Sequence, residues 1–240
     1  MLNQLINAMA YHRCFGCHQS QSWPVNGPLC SLCQKRLPWL RTPYCKQCAA
    51  PLPDSTASHC GECLKNERSF DCVISPFLYD YPIKELIHAF KFDEQWRLTK
   101  SLASFMVDTI QHNTGSLPDC LTPIPLHKKR LATRGYNQSL LLARAIGKKL
   151  SIPVSHNCYK SNHTTPQSSL PQKERLATSH AFSLKRHASK PMSHVMLIDD
   201  VMTTGSTVNQ LAKCLKKAGT QVVSVCCLAR ACQASDSKVF

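Results

Sequence analysis

Eight of the fifteen cysteines fall into four C-x-x-C pairs within the first 63 residues: Cys14/Cys17, Cys30/Cys33, Cys45/Cys48 and Cys60/Cys63, separated by 12, 11 and 11 residues. Two residues between thiols let both sulfurs of a pair approach one metal from a tight knuckle, and two knuckles complete the tetrahedral S4 shell that structural zinc prefers. The segment is rich in proline and short of long periodic helix, so it has little core of its own. Metal binding would then supply much of its folding energy, on the order of 10 kcal/mol per structural zinc. The competing chemistries are a disulfide scaffold and a redox dithiol. No secretion signal is read at the start of the chain, so a reducing, cytoplasmic compartment is expected, which works against disulfides. A redox dithiol needs one pair rather than four. The expectation is two structural zinc ions with no coordination position left for water, the first pair joining the second and the third the fourth in preference to an interleaved arrangement. The other seven cysteines, Cys72, Cys120, Cys158, Cys214, Cys226, Cys227 and Cys232, show no ligand spacing and are expected as small hydrophobes.

A second cluster of chemistry lies in Val195 to Thr207, VMLIDDVMTTGST. Four apolar residues read as a buried strand, which places Asp199 and Asp200 at its carboxyl end, where open α/β sheets bind ligands. Thr203, Thr204, Gly205, Ser206 and Thr207 form the turn into a helix, whose first N–H groups and dipole suit a phosphate. An ionised carboxylate only accepts hydrogen bonds, so the two acids cannot take a phosphate but suit vicinal hydroxyls. A ligand with both, such as ribose 5-phosphate, satisfies both halves. The bland alternative is a pair of aspartates capping a turn. No GxxxxGK[ST] or GxGxxG motif occurs in the chain, so neither a nucleoside-triphosphate loop nor a dinucleotide fold is indicated.

These residues must be held by a framework. The 240 residues suffice for one sizeable core or two smaller domains, and 43% apolar against 18% charged content reads as globular. No stretch of about 18 apolar residues is present, so no membrane span is expected. Leu2, Leu5, Ile6 and Met9 have the spacing of a short amphipathic helix. The pattern changes after Cys63, which divides the chain into a helix and cysteine-rich module, residues 1–67, and a second domain, residues 68–240. In the latter, CVISPFLYDY, DCLTPIPL, HVMLID and QVVSVCCLAR read as strands. Ile83 to Phe92, Gln95 to Ile110, NQSLLLARAIGKKL and TVNQLAKCLKKAG, with Gly219 as terminator, read as helices. Alternation of this kind implies an α/β fold, a parallel sheet flanked by helices. Lys160 to Thr178 is polar and unpatterned, as functional loops are. The net charge is +15, and between Cys120 and Lys173 there is no Asp or Glu but nine basic residues, a field that attracts phosphates or nucleic acid.

VMLIDDVMTTGST resembles the PRPP-binding motif of type I phosphoribosyltransferases, where PRPP is 5-phosphoribosyl 1-pyrophosphate. The whole chain resembles the ComF family of competence-associated proteins: four C-x-x-C pairs, FKF at Phe90 to Phe92, TPIPLHKKR at Thr122 to Arg130, RGYNQS at Arg134 to Ser139, TTPQ at Thr164 to Gln167, and Ala181–Phe182. Lys160 and Thr178 stand where arginine and asparagine are usual. The resemblance implies a type I phosphoribosyltransferase-like sheet preceded by a double zinc ribbon. It implies that Asp199 and Asp200 bind the ribose 2′ and 3′ hydroxyls and that Thr203 to Thr207 hold the 5′-phosphate. Pro123, Ile124, Pro125 and Leu126 would form a pyrophosphate loop, with Lys128, Lys129 and Arg130 neutralising a diphosphate that Mg²⁺ bridges. If the site is catalytic, Asp199, Asp200 and Arg134 serve displacement of pyrophosphate at the anomeric carbon through an oxocarbenium-like state. The loop bearing Thr165, Gln167 and Arg175 would close over it. Gly135 and Asn137 read as a turn and a helix cap, and Arg134 and Tyr136 lie near the presumed loop. Two functions follow as expectations. One is a role in DNA uptake and natural transformation, with PRPP, single-stranded DNA and DNA-processing proteins as partners. The other is an active phosphoribosyltransferase with an unidentified acceptor.

Overall fold

The computed structural model describes residues 13–20, 27–41, 43–92, 95–126, 128–155, 158–160, 182–184 and 192–231. The expected amino-terminal helix and the loop residues Thr165, Gln167, Arg175 and Thr178 lie outside the described residues.

The described residues open with two cysteine knuckle units, each containing a one-turn helix, α1 (Ser31–Lys35) and α2 (Gly61–Lys65). Strands β1 (Cys72–Ile74) and β2 (Phe77–Leu78) follow, then helices α3 (Ile83–Phe92) and α4 (Thr99–Asn113). Next come β3 (Cys120–Pro123), α5 (Lys128–Arg134), α6 (Gln138–Leu150) and the antiparallel pair β4 (Cys158–Lys160) and β5 (Phe182–Leu184). Strand β6 (His194–Met202), helix α7 (Ser206–Lys217) and strand β7 (Val222–Arg230) complete the described chain. The main sheet is parallel throughout, in the order β1, β7, β6, β3, with β2 continuing the β1 edge along β7. CVISPFLYDY is therefore two short strands rather than one. Pro76 has no N–H to donate to a ladder, and Ser75 Oγ donates to Phe77 O at 3.0 Å across the break. Lys128 to Arg134, expected only as a basic cluster after a turn, forms a helix.

Alternation along β6 and β7 sorts the core into two layers. Met196, Ile198, Cys226 and Leu228 face a cluster built by α3, α4 and α6. Val195, Leu197, Val223, Val225 and Cys227 face the other side, where α7 packs. The two cysteine units cover opposite faces. Cys14, Leu29, Cys33 and Leu37 join the α3/α4/α6 layer, whereas Cys45, Cys48, Ala49, Ala50 and Leu52 join the α7 layer. The segment between them runs along the β2 edge: Leu78 N donates to Pro38 O, Leu40 N donates to Pro76 O, and Trp39 pairs with Phe77. A sheet edge that would otherwise be open is thereby closed. Of the cysteines without ligand spacing, Cys120, Cys226 and Cys227 are buried and Cys72 and Cys214 half-buried.

Candidate functional site

The site forms at the carboxyl end of β6, beside the sheet's β3 edge. A cleft of about 230 Å³ is lined by Lys91, Ile124, Pro125, Leu126, Arg130, Arg134, Asn137, Gln138, Ser139, Asp199, Asp200, Val201 and Thr207. Both acids, the turn after β3 and the start of α7 thus meet there. Asp199 Oδ1 accepts from Ser139 Oγ at 3.0 Å and from the Asp200 N–H at 2.9 Å. Asp200, 8% exposed, pairs with Lys91, Nζ to Oδ1 3.0 Å. Burial, together with the adjacent Asp200 carboxylate, raises the Asp199 carboxyl to about 7, against the opposing pull of its hydrogen bonds and Lys91.

The turn after β3 is fixed from both sides. Ile124 N donates to Ile198 O at 3.0 Å, and Asn137 Nδ2 donates to Ile124 O at 3.0 Å. Asn137 Oδ1 meanwhile accepts from Leu140 N at 3.3 Å, so one side chain caps α6 and anchors the turn. Pro123 is buried within β3, behind the turn. The FKF segment is tied to RGYNQ by Tyr136 Oη donating to Phe90 O at 2.5 Å and Gln138 Nε2 donating to Lys91 O at 3.4 Å. This alignment lays the Arg134 guanidinium over the Phe92 ring, 4.9 Å from its centre, while Phe92 stays 56% exposed.

Thr203, Thr204 and Ser206 are exposed, and Gly205 caps α7 at φ +74°, a left-handed conformation that glycine adopts without a Cβ clash. A Cβ there would also lie 2.5 Å from Met202 Cε. Ser206 N donates to Thr204 Oγ1 at 3.3 Å. The N–H groups of Thr207 and Val208 donate to no acceptor among the described residues, the open arrangement an anion requires. Lys128 opens α5, but the side chains of Lys128 and Lys129 lie outside the described residues. Sequence reasoning missed Ser139 and Lys91 as partners of the acids. Both lie inside quoted motifs, RGYNQS and FKF, but nothing in their spacing signals a contact across to β6.

The cysteines assemble separately. The four sulfurs of Cys14, Cys17, Cys30 and Cys33 lie within 4.8 Å of one another, as do those of Cys45, Cys48, Cys60 and Cys63. Pairing is therefore sequential. The Cys17–Cys30 and Cys48–Cys60 sulfur separations, 3.9 and 3.5 Å, bracket the roughly 3.8 Å edge of an S4 tetrahedron with about 2.3 Å metal–sulfur bonds. Within the second tetrad the hydrogen bond from Cys48 holds the Cys45 thiol down to about 4, and the same contact with burial pushes Cys48 far up. Such proton sharing is what a divalent cation replaces, and the donor set fits zinc.

The double zinc ribbon domain family matches residues 5–64 and the phosphoribosyl transferase domain family residues 137–238. Competence protein F of Haemophilus influenzae is 38% identical over 226 residues, covering 91% of this chain and 97% of that protein. The chain belongs to the ComF family. DNA utilization protein YhgH of Escherichia coli is 31% identical over 176 residues, 71% of this chain and 77% of that one. Among solved structures, a purine phosphoribosyltransferase of Pyrococcus horikoshii aligns over 56% of this chain and 73% of its own at 16% identity, with a TM-score of 0.37. The fold is that of the family, a parallel phosphoribosyltransferase-type sheet with a cysteine-rich ribbon module before it. No helix among the described residues is long and apolar enough to cross a membrane.

Proposed function

We propose that this ComF-family chain acts in DNA uptake and natural transformation in the cytoplasm, binding PRPP or a related sugar-phosphate and handling incoming single-stranded DNA. The observation that carries the phosphoribosyl reading is the meeting of an acid pair with three anion-suited features in one cleft: the turn at residues 124–126, Arg130 with Arg134, and the open start of α7. The carboxylates of Asp199 and Asp200 would accept from the ribose hydroxyls and the start of α7 would hold the 5′-phosphate. The 124–126 turn with Lys128, Arg130 and Arg134 would face the diphosphate, whose charge a bound Mg²⁺ would help to neutralise. Lys91, paired with Asp200, neutralises one acid until the hydroxyls arrive. Supporting the DNA reading are the basic run without acids between Cys120 and Lys173 and the exposed Phe92 ring against which half-buried Arg134 stacks. Relatives carry names in competence and DNA utilization.

The test of the phosphoribosyl reading is a PRPP binding isotherm with Mg²⁺, alongside pyrophosphate release across nucleobases, ammonia and DNA ends. Binding without turnover supports a holding role, binding with turnover supports the transferase alternative, and no binding overturns both. Labelled single strands are expected to bind with a steep salt dependence, and removing Lys128, Lys129 and Arg130 should flatten the slope of log affinity against log salt by about 0.7 per lost phosphate contact. An unchanged slope, or no binding, counts against DNA handling.

The raised Asp199 carboxyl sets a pH dependence. Only its ionised form is purely an acceptor, so PRPP affinity should rise with pH through about 7 and level off above. The ligand's own phosphate titrates near pH 6, so the comparison is with Asp199→Asn, whose profile should lack the step near 7. Superimposable profiles would remove Asp199 from ligand contact.

A further inference from the structure

The last residue of β7, Arg230, is 5% exposed, yet among the described residues no carboxylate pairs with it. Its guanidinium instead donates to backbone carbonyls, three of them in distant segments. Nε donates to Cys48 O at 2.8 Å, while Nη1 donates to Thr203 O at 2.7 Å, to Met202 O at 3.2 Å and to Ala231 O. Cys48 closes the first knuckle of the second ribbon, and Met202 and Thr203 lead into the turn before α7. One buried cation therefore spans a metal knuckle and the proposed phosphate loop.

Neighbouring contacts reinforce that span. Gln47 Nε2 donates to Phe70 O at 3.4 Å, and a Cβ at Gly205 would meet the Phe70 ring at 3.7 Å. Ser69 N donates to Asn209 Oδ1, in the first turn of α7, at 2.6 Å. Cys45, Cys48, Ala49, Phe70, Met202 and Val208 share one apolar cluster. The first ribbon is placed elsewhere. Its Cys33 thiol contacts Tyr81 Oη at 3.3 Å, and its apolar residues pack in the α3/α4/α6 layer.

We propose that Arg230 is a positioning residue that couples the second zinc ribbon, and not the first, to the phosphate loop, so that ligand in the cleft and metal in the Cys45/Cys48/Cys60/Cys63 tetrad stabilise each other. The proposal rests on the phosphoribosyl reading of the cleft. The physical reason is geometric: Arg230 fixes the Thr203 carbonyl and shares the Met202 carbonyl with the Ala231 N–H, just before the turn whose N–H groups face outward, and Arg230 is in turn held by the Cys48 carbonyl. Binding at two sites joined through one such element is reciprocal by linkage, so each ligand should tighten the other by the same factor, about tenfold.

The experiment uses the full zinc-loaded chain and follows thiol alkylation by peptide mass spectrometry, which reads both tetrads in one sample, with and without saturating PRPP and Mg²⁺. The expected result is about tenfold slower alkylation of the second tetrad with PRPP and an unchanged rate at the first. Arg230→Met should expose the second tetrad faster without ligand, bind PRPP about tenfold more weakly, and lose the protection even when saturated. Arg230→Lys, which keeps the charge and part of the donor set, should restore part of it. Equal protection of both tetrads, or protection that survives in Arg230→Met, overturns the coupling. A wild-type chain that binds no PRPP in the accompanying isotherm overturns the phosphoribosyl reading as well, whereas binding without selective protection overturns the coupling alone.

Discussion

Asp199→Asn combined with Asp200→Asn is expected to weaken PRPP binding by about 3 kcal/mol or more, roughly a hundredfold, because each carboxylate would lose a charge-assisted hydrogen bond to a ribose hydroxyl. Isothermal titration checks the affinity, and transformation frequency of a strain carrying the double variant checks whether the cleft matters to the organism. A protein that binds PRPP as well as the wild type would eliminate the hydroxyl-binding role. The stability of Asp199→Asn alone guards against confusing lost contact with lost fold. Its carboxyl is raised in the folded chain, from 3.8 to about 7, so the folded state holds a proton that the unfolded chain releases between those values. Wild-type stability contributed by this group is therefore lost as pH rises from about 4 to 7. The Asn variant should gain melting temperature relative to wild type at pH 8 and lose that advantage near pH 4.

Removing zinc is expected to have the larger structural effect. Each tetrad would forfeit on the order of 10 kcal/mol, comparable with the whole stability of about 5–15 kcal/mol that a domain has to lose. The apolar residues of both ribbons are shared with the sheet's two layers rather than forming a core of their own, so the damage should spread beyond residues 1–67. Prolonged chelation, or Cys17→Ser with Cys60→Ser, should abolish the cooperative thermal transition seen by circular dichroism, with zinc content falling in parallel. A chain that keeps its transition after losing both ions would show that the thiols are ornaments of an already stable fold.

Much of the molecule is written locally. C-x-x-C spacing fixes a knuckle because two intervening residues set the sulfur separation whatever surrounds them, but links of 12, 11 and 11 residues do not decide which knuckles share a metal, and the assembled sulfurs do. The apolar run before Asp199 makes a central strand that ends at the acids. Asn137 is legible as a helix cap because capping depends only on the next three residues. The break at Pro76 was legible too, in principle, from the missing N–H. What local pattern could not show is who stands opposite. Lys91 reaches Asp200, and Ser139 reaches Asp199, across separate elements. Helix α5 was missed because its basic residues carry no apolar stripe that announces a buried face.

By itself, then, the sequence determined the four C-x-x-C knuckles, the alternation of strands and helices, and an acid pair followed by a phosphate-suited turn, since each depends on residues a few positions apart. Only the tertiary structure decided that the ribbons clasp opposite faces of one sheet, that Asp199 is half-buried against a second carboxylate, and that Arg230 reaches back 182 residues to the Cys48 carbonyl. Those features depend on which surfaces are buried together, and burial is a property of the assembled layers rather than of any stretch of chain.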